Sequence, residues 1–317
     1  MKHRGAVQVH VDLDNLWIYS GIYAPWSAVD ATVLYKQALP EMLTLFRRHA
    51  IKATFFVVGR DLDDVPESRE ALLAAVAEGH EIANHTYGHP LHLRRLSKSD
   101  RSNEIRRGHD AIIRHLGVGP VGFRGPGYHI DAAMLDELSG LGYLYDSSVL
   151  PGVSCALMGA AVRRLSGQSG VRFGRRRYLA ATRRVTHIAS AAGPGMLELP
   201  VATASWLRLP AHSTTSFQFG AAYASMTSTL ADRSSLPAVF LLHGIDTLDT
   251  LLAGEMGDLL PTLRWDLQRR LAFLDQRFAR FQGRAAQTSA ELITSDQLVA
   301  RPSRLLPTIT WPSPARS

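Results

Sequence analysis

The chain has 317 residues, 46% of them hydrophobic and 20% charged, the balance of a globular protein with material for one large α/β domain or two small ones. A single cysteine, Cys155, excludes an internal disulfide and any cysteine-based zinc cluster. The net charge of +7 is concentrated: residues 147–197 hold no Asp or Glu but carry eight arginines between Arg163 and Arg184, a block that suits an anionic partner unless it is a solvated basic loop.

No stretch approaches the roughly 20 apolar residues of a membrane span. The N-terminus runs straight into a strand pattern without the apolar core of a signal peptide, so a cytoplasmic location is expected. Residues 7–14, Val-Gln-Val-His-Val-Asp-Leu-Asp, alternate apolar and polar as a strand buried on one side would. Asp12 and Asp14 then point to the same side. Two like charges aimed together need a cation, a shared proton or a basic partner, unless they simply face solvent. His10, just before them, reads as structural.

Residues 32–49 predict an amphipathic helix interrupted at Pro40, 51–58 a strand, 67–78 a helix ended by Gly79, and 80–84 a strand. That strand runs into Asn84-His85-Thr86-Tyr87-Gly88-His89-Pro90. If this segment turns helically, two imidazoles four residues apart share a face and can reach one metal ion. With thirteen histidines in the chain, chance spacing competes with that reading. Residues 100–116 predict a helix and 121–123 a strand delivering Arg124; 131–140 predict a helix and 141–145 a strand delivering Asp146. Beyond the arginine-rich segment, 196–201 read as a strand, 206–210 as an apolar loop and 217–230 as a weakly patterned helix. Residues 237–242 form a strong buried strand that delivers His243, 259–281 a long helix, and 291–293 a last strand. From Arg301 four prolines mark a tail that is disordered or draped over the surface.

Strands alternating with helices predict a mostly parallel sheet, and about seven of them suit a closed TIM-like barrel, in which chemistry gathers at the C-terminal strand ends. Asp12, Asp14, His85, Arg124, Asp146 and His243 all stand at or just past expected strand ends. The expected organisation is one domain over residues 1–295, with a basic insertion at about 150–190 and a Pro-rich tail at 296–317.

Five pieces carry a resemblance: Asp12-Leu13-Asp14, His85-Thr86-Tyr87-Gly88-His89, Phe123-Arg124-Gly125-Pro126-Gly127-Tyr128, Tyr145-Asp146-Ser147-Ser148 and Leu241-Leu242-His243. In this order they resemble the polysaccharide deacetylase (NodB-homology, carbohydrate esterase family 4) superfamily over roughly residues 7 to 245. The resemblance implies a distorted (β/α)7 TIM-like barrel, a divalent metal ion and hydrolysis of an N-acyl group from an amino sugar. It makes Asp14, His85 and His89 the metal ligands, with zinc first among the ions and cobalt, manganese or nickel as alternatives. Asp12 resembles the general base, Arg124 its charge partner, His243 the general acid and Asp146 the partner of His243. The backbone N–H near Tyr128 would help hold the oxyanion.

Two features depart from the commonest family pattern. Leu13 separates aspartates that are usually adjacent, as in the Asp-x-Asp branch that includes deformylases and cyclic-amide hydrolases. Asp14 is assigned as ligand because it lies nearer the strand exit. Gly127 stands where the family usually has an aromatic residue, and Tyr128 follows it. The basic segment with its apolar neighbours could form helices lying on an anionic membrane face, from Arg163 to Arg184. This fits a cytoplasmic enzyme acting on a lipid-linked or phosphate-bearing acylated amino sugar. The alternatives are a deformylase or other small-amide hydrolase, and a non-catalytic glycan- or membrane-binding relative. No nucleic-acid partner is expected, because the basic stretch lacks aromatic interleaving or a known motif.

Overall fold

Strand β1 (Val7–Asp12) is buried along its whole length. Val7, Val9 and Val11 pack into the main core, so the two-residue pleat turns Gln8, His10 and Asp12 the other way. The alternation expected of a half-solvated strand belongs instead to one covered on both faces, by helices on one side and by buried polar groups on the other. The computed structural model describes residues 6–23, 28–167, 173–174, 178, 181–190, 193–204, 208–232, 238–254, 256–281, 283–295 and 308–309.

After α1 (Leu16–Tyr23) comes a π-helical turn at Leu34–Ala38 that passes directly into α2 (Leu39–Arg48). Pro40 sits in the first turn of α2, where its missing N–H costs nothing; the interruption expected at Pro40 lies just before it. β2 (Ala53–Val57), α3 (Gly59–Asp64), α4 (Pro66–Ala77) and β3 (Glu81–Asn84) follow. Ser97 caps α5 (Lys98–Leu116) by accepting from the Asp100 amide, and left-handed Gly117 ends it. β4 (Gly122–Phe123), α6 (Ala132–Gly140) and β5 (Tyr145–Asp146) are short, and α7 (Ser154–Ser166) opens the basic segment. β6 (Thr186–Ile188) and β7 (Met196–Glu198) precede a small antiparallel pair, β8 (Thr203–Ala204) and β9 (Leu209–Pro210). α8 (Ser213–Asp232), β10 (Ala238–His243), α9 (Met256–Leu259), α10 (Leu267–Ala279), α11 (Ser289–Ser295) and β11 (Thr308–Ile309) complete the described elements.

The large sheet runs β10-β1-β2-β3-β4-β5-β7-β6-β11. Neighbours from β10 to β7 are parallel, β6 is antiparallel to β7, and β11 adds parallel to β6. Just past β7, Val201 bridges Val239 of β10 in parallel, and the Ala202 amide donates to Val239 O at 3.0 Å. The seven parallel strands therefore curl until their ends meet, a distorted (β/α)7 barrel with β6 and β11 as an outer flap.

Several expected elements differ. Residues 291–293 are helical within α11, because Thr288 and Glu291 form a reciprocal cap: the Thr288 amide donates to Glu291 Oε2 (2.8 Å) and the Glu291 amide to Thr288 Oγ1 (3.3 Å). The helix expected at 217–230 starts at Ser213 and breaks at Gly220, whose φ is 84°. The long helix expected at 259–281 is continuous only from Leu267, after a turn at Pro261–Arg264, with Asp266 capping it through the Arg269 amide. Of the apolar loop at 206–210, Trp206 and Leu207 lie outside the described residues, as do Arg172 and Arg175 to Arg177 and the tail except Thr308 and Ile309. Among the described residues no helix is long and apolar enough to cross a membrane.

Two buried charges tie the frame together. Arg270 of α10 is fully buried, and its guanidinium donates to Ile245 O (2.9 Å), Asp246 O (3.0 Å), Leu248 O (2.6 Å) and Trp265 O (2.9 Å). It adds a charged donor to the carbonyls of the tight turn after β10, of which Ile245 O also accepts from the Leu248 amide (3.2 Å). On adjacent strands, Asp146 and Glu198 stand opposite in register, both buried. Burial, and then the charge of Asp146, push the Glu198 carboxyl well above the usual glutamate range. The pair is best described as a protonated Glu198 donating to Asp146.

Arg270→Met should lower the free energy of unfolding by about 3 kcal/mol or more, since several buried carbonyls lose a charged donor. The guanidinium chloride midpoint should fall with the m-value unchanged; an unchanged midpoint would refute the role given to Arg270. A raised folded pKa contributes stability that is complete below the unfolded glutamate value of about 4.3 and is lost as pH rises through the folded value. Glu198→Gln keeps a neutral donor toward Asp146 without that loss. Its stability relative to wild type should therefore rise between pH 5 and pH 8, whereas a difference constant with pH would exclude the protonated pair.

Candidate active site

The site grows from three strand ends. At the end of β1, Leu13 stays in the core, so the pleat continues through it and both Asp12 and Asp14 face the barrel interior, 4% and 8% exposed. Past β3 the chain does not make the helical turn expected of the histidine pair. Thr86 (φ 66°) and His89 (φ 48°) are left-handed instead, an unusual conformation for a β-branched residue that the surroundings must enforce. Asn84 Oδ1 accepts from the Thr86 amide (2.9 Å), Thr86 Oγ1 from the His89 amide (3.2 Å), and Thr86 O from the Gly59 amide (3.0 Å). Glu104 of α5 takes the Tyr87 amide on its carbonyl (3.0 Å) and the Gly88 amide on its carboxylate (2.7 Å). The loop thus held brings the two imidazoles to a centroid distance of 4.8 Å.

Asp14 Oδ1 lies 3.4 Å from His85 Nε2 and 3.2 Å from His89 Nε2, and all three groups are buried. His85 Nδ1 lies 2.6 Å from Arg124 O, an acceptor, so this nitrogen carries a proton and Nε2 is the atom turned toward Asp14. Asp14 Oδ1 accepts no well-aligned hydrogen bond. A cation among the three groups would engage this oxygen and both Nε2 atoms. The candidate ligand atoms lie within 4.8 Å of one another, so the donor set fits a divalent metal ion. Burial pushes the Asp14 carboxyl up, but His89 and His85 outweigh it and hold it well below the usual carboxylate range.

Arg124, just past β4, is 1% exposed and spends its guanidinium on four acceptors. Nη1 donates to Asp12 Oδ1 (2.6 Å), Nη2 to His10 Nδ1 (2.7 Å) and Ser147 Oγ (2.8 Å), and Nε to Ser147 O (2.8 Å). The plane sits over Phe56, 4.2 Å from its centroid. His10 must accept from Arg124, so its other nitrogen donates to Ser289 Oγ at 2.7 Å. Burial and Arg124 hold its pKa well down. His10 is therefore structural in a specific sense: it braces Arg124. The signal was its position two before Asp12, on the same side of the strand.

The loop after Arg124 admits only glycine at 125, where a Cβ would lie 1.9 Å from His129 O. Tyr128 is left-handed (φ 60°), and its amide donates to Gly125 O at 3.0 Å. That amide closes a turn and does not reach toward an oxyanion, contrary to the expected role; the ring of Tyr128 forms cavity wall. Asp146 is also corrected. Its carboxylate takes Ser148 Oγ (2.6 Å) and the Ser148 amide (3.2 Å) and neighbours Glu198, away from the cavity lining. Ser148 Oγ in turn accepts from the Gly125 amide at 2.8 Å. The carboxylate beside His243 is Asp246, which accepts from the His243 amide at 2.8 Å, while His243 Nδ1 lies 3.1 Å from Thr214 Oγ1. Burial raises the Asp246 pKa against the pull of His243. Asp246 and Thr214 escaped sequence reasoning because neither stands in a strand-end motif.

These groups converge on a cavity of about 230 Å3. Asp12, Asp14, His85, His89, Arg124, Tyr128 and His243 all line it, leaving only Asp146 of the expected residues outside. Ile18 and Ile22 of α1, Met158 and Val162 of α7, Leu91 and Phe173 supply apolar walls. The basic insertion thus turns Met158, Val162 and Phe173 inward over the cavity, while Val153 and Leu157 stay exposed.

Residues 28–145 match the polysaccharide deacetylase family. The chain is 33% identical over 106 residues to a chitin deacetylase of Colletotrichum lindemuthianum, covering 33% of this chain and 42% of that protein. It is 28% identical over 119 residues to a peptidoglycan-N-acetylglucosamine deacetylase of Bacillus cereus, covering 35% and 42%. A chitooligosaccharide deacetylase of Bradyrhizobium is 38% identical over 73 residues, covering 23% and 32%. The chain spans less than half the length of these curated relatives. A crystal structure from Mycobacterium smegmatis, named for the polysaccharide deacetylases, matches with a TM-score of 0.64 at 18% identity, over 99% of this chain and 96% of that one. A 4-alpha-glucanotransferase from Thermococcus litoralis matches at 0.55 and 14% identity, over 98% and 42%. At these identities the structural likeness concerns the fold. Over residues 28–145 the chain matches the polysaccharide deacetylase (NodB-homology, carbohydrate esterase family 4) sequence pattern, and the barrel as a whole has the fold of the Mycobacterium smegmatis structure.

Proposed function

We propose that this protein is a metal-dependent hydrolase that removes an N-acyl group, acetyl first of all, from an amino sugar. The observation that carries the reading is one cavity in which an Arg124-braced Asp12 lies beside the Asp14, His85 and His89 cluster and shares the space with His243. The relatives named for chitin, peptidoglycan and chitooligosaccharide deacetylation support the amino-sugar class.

A divalent cation held by Asp14, His85 and His89 would supply Lewis-acid polarisation of the amide carbonyl and acidify water. Asp12 accepts the proton of the attacking water, its orientation set by the 2.6 Å bond from Arg124. His243 then protonates the departing amine. With Nδ1 against Thr214, Nε2 is the nitrogen left to meet the substrate, and the buried Asp246 replaces Asp146 as the neighbouring charge. The apolar residues of α1 and α7 along the cavity lower the local polarity, which strengthens these charge interactions.

Within this reading we place the substrate on the cytoplasmic side as a lipid-linked or phosphate-bearing amino sugar. The acid-free stretch of arginines from Arg163 to Arg184 would meet an anionic membrane or the phosphate. Because Met158 and Val162 face the cavity, membrane contact would rest on charge and on exposed Val153 and Leu157. A second reading, hydrolysis of a formyl or other small amide, is favoured by the small volume of the cavity and its apolar α1 and α7 side.

The purified protein should bind about one divalent ion per chain, as the three-ligand site predicts, and Asp14→Ala and His85→Ala should lose it. Asp12→Asn should keep the ion while its rate of acetate release from N-acetylglucosamine oligomers falls by roughly 10²–10⁴, the usual weight of a general base. Absence of metal after incubation with zinc or cobalt would overturn the hydrolase reading, and formate release in place of acetate would select the second one. Arg175→Ala, Arg176→Ala and Arg177→Ala together should weaken binding to anionic liposomes; unchanged binding would remove the membrane from the proposal.

A further inference from the structure

His212, between β9 and α8, lines the same cavity as His243 and has no part in the chemistry described above. Its backbone is firmly placed. His212 O accepts from the Ser216 amide (3.2 Å), Ser216 Oγ (2.9 Å) and Thr215 Oγ1 (3.1 Å), and the preceding Ala211 amide donates to Ala202 O at 2.9 Å. Its ring is treated quite differently. The side chain is buried, with the residue only 1% exposed, yet neither ring nitrogen has a hydrogen-bond partner among the described residues. A buried polar atom without a partner costs about 1–3 kcal/mol, and an imidazole carries two such atoms. A rigidly anchored residue that keeps this cost, at the wall of a cavity, holds its polarity for something that enters.

Burial, and then the positive charges of His243 and Arg124, hold the His212 pKa down at about 3. The ring is therefore neutral at any working pH and offers one N–H donor and one bare nitrogen acceptor. That combination does not suit a phosphate or carboxylate, which would favour a cation. It matches a group that both donates and accepts, and a sugar hydroxyl is such a group. Thr214, Thr215 and Gln218 from the same first turns of α8 line the cavity beside it, whereas the α1 and α7 side is apolar. The cavity thus has one polar wall, and His212 is its most deeply buried ring.

We propose that His212 contacts the substrate directly, as a neutral imidazole hydrogen-bonded to a hydroxyl of the sugar that carries the scissile amide. This rests on the amino-sugar reading, and it makes His212 a specificity-determining residue for that same site.

The test compares wild type, His212→Leu and His212→Asn in metal content, thermal midpoint without ligand, and binding of N-acetylglucosamine trimer by calorimetry. Leu should leave the metal content intact, leave the midpoint unchanged or raised, and weaken binding about ten-fold or more, the worth of one hydrogen bond with an unpaired partner. Asn, which retains a donor and an acceptor, should recover part of the affinity. Unchanged affinity in the Leu variant would overturn the proposal, as would a lowered midpoint, which would mean that the ring already serves the fold. If wild type neither binds nor deacetylates the trimer, the amino-sugar reading fails separately. The contact of His212 with a sugar hydroxyl then falls with it, whereas failure of the His212 proposal alone leaves wild-type binding of the trimer intact and equal in the Leu variant.

Discussion

A guanidinium removed from water must have its N–H groups met by acceptors, and inside this barrel the need is Arg124's. Meeting it settles where several strands end. β1 supplies Asp12 and His10, the chain after β5 supplies Ser147 twice, and β2 supplies the face of Phe56 beneath the plane. The carbonyl of the same residue takes the Nδ1 proton of His85. One side chain and its own backbone therefore join the two acidic and imidazole clusters, so a change at either is felt by the other through a short path of hydrogen bonds.

The two aspartates show how a pair of like charges is made tolerable. Pleat geometry aims both inward, and each then has its own neighbours: Asp12 the guanidinium, Asp14 the two imidazoles, among which a cation is proposed. A second carboxyl pair, Asp146 with Glu198, resolves the same conflict by retaining a proton, because among the described residues no cationic group bonds to either carboxylate. Similar chemistry at neighbouring strand ends thus has opposite outcomes, decided by what lies within hydrogen-bond reach.

The insertion after β5 changes the character of the barrel mouth. α7 lies against α1, and their isoleucine, valine and methionine side chains, with Phe173, cover the cavity that the strand ends open. An amphipathic, arginine-rich sequence reads naturally as a surface helix. Here its apolar face has an internal partner, and its exposed face keeps the charge.

The parallel barrel was legible because strand and helix periods differ, and the polar residues closing each strand run stood out against apolar neighbours. Asp12, Asp14, His85, Arg124 and His243 were found in this way and His89 by its spacing from His85, and they share one cavity. Periodicity also placed His10 on the side of Asp12 without saying what it would touch. The rest was not local. The left-handed loop at Thr86 and His89 is enforced by Asn84 just before it and by Glu104 and Gly59 from elsewhere in the chain. Asp246 lies beside His243 through a local turn three residues on, but the absence of Asp146 there and the unpaired ring of His212 depend on which strand ends meet when the sheet curls through Val201 and Val239. The sequence by itself determined the order of elements and the kinds of group brought to the barrel mouth. Only tertiary structure decided the pairings, because the partner of a buried charge is set by distance across the barrel and not by distance along the chain.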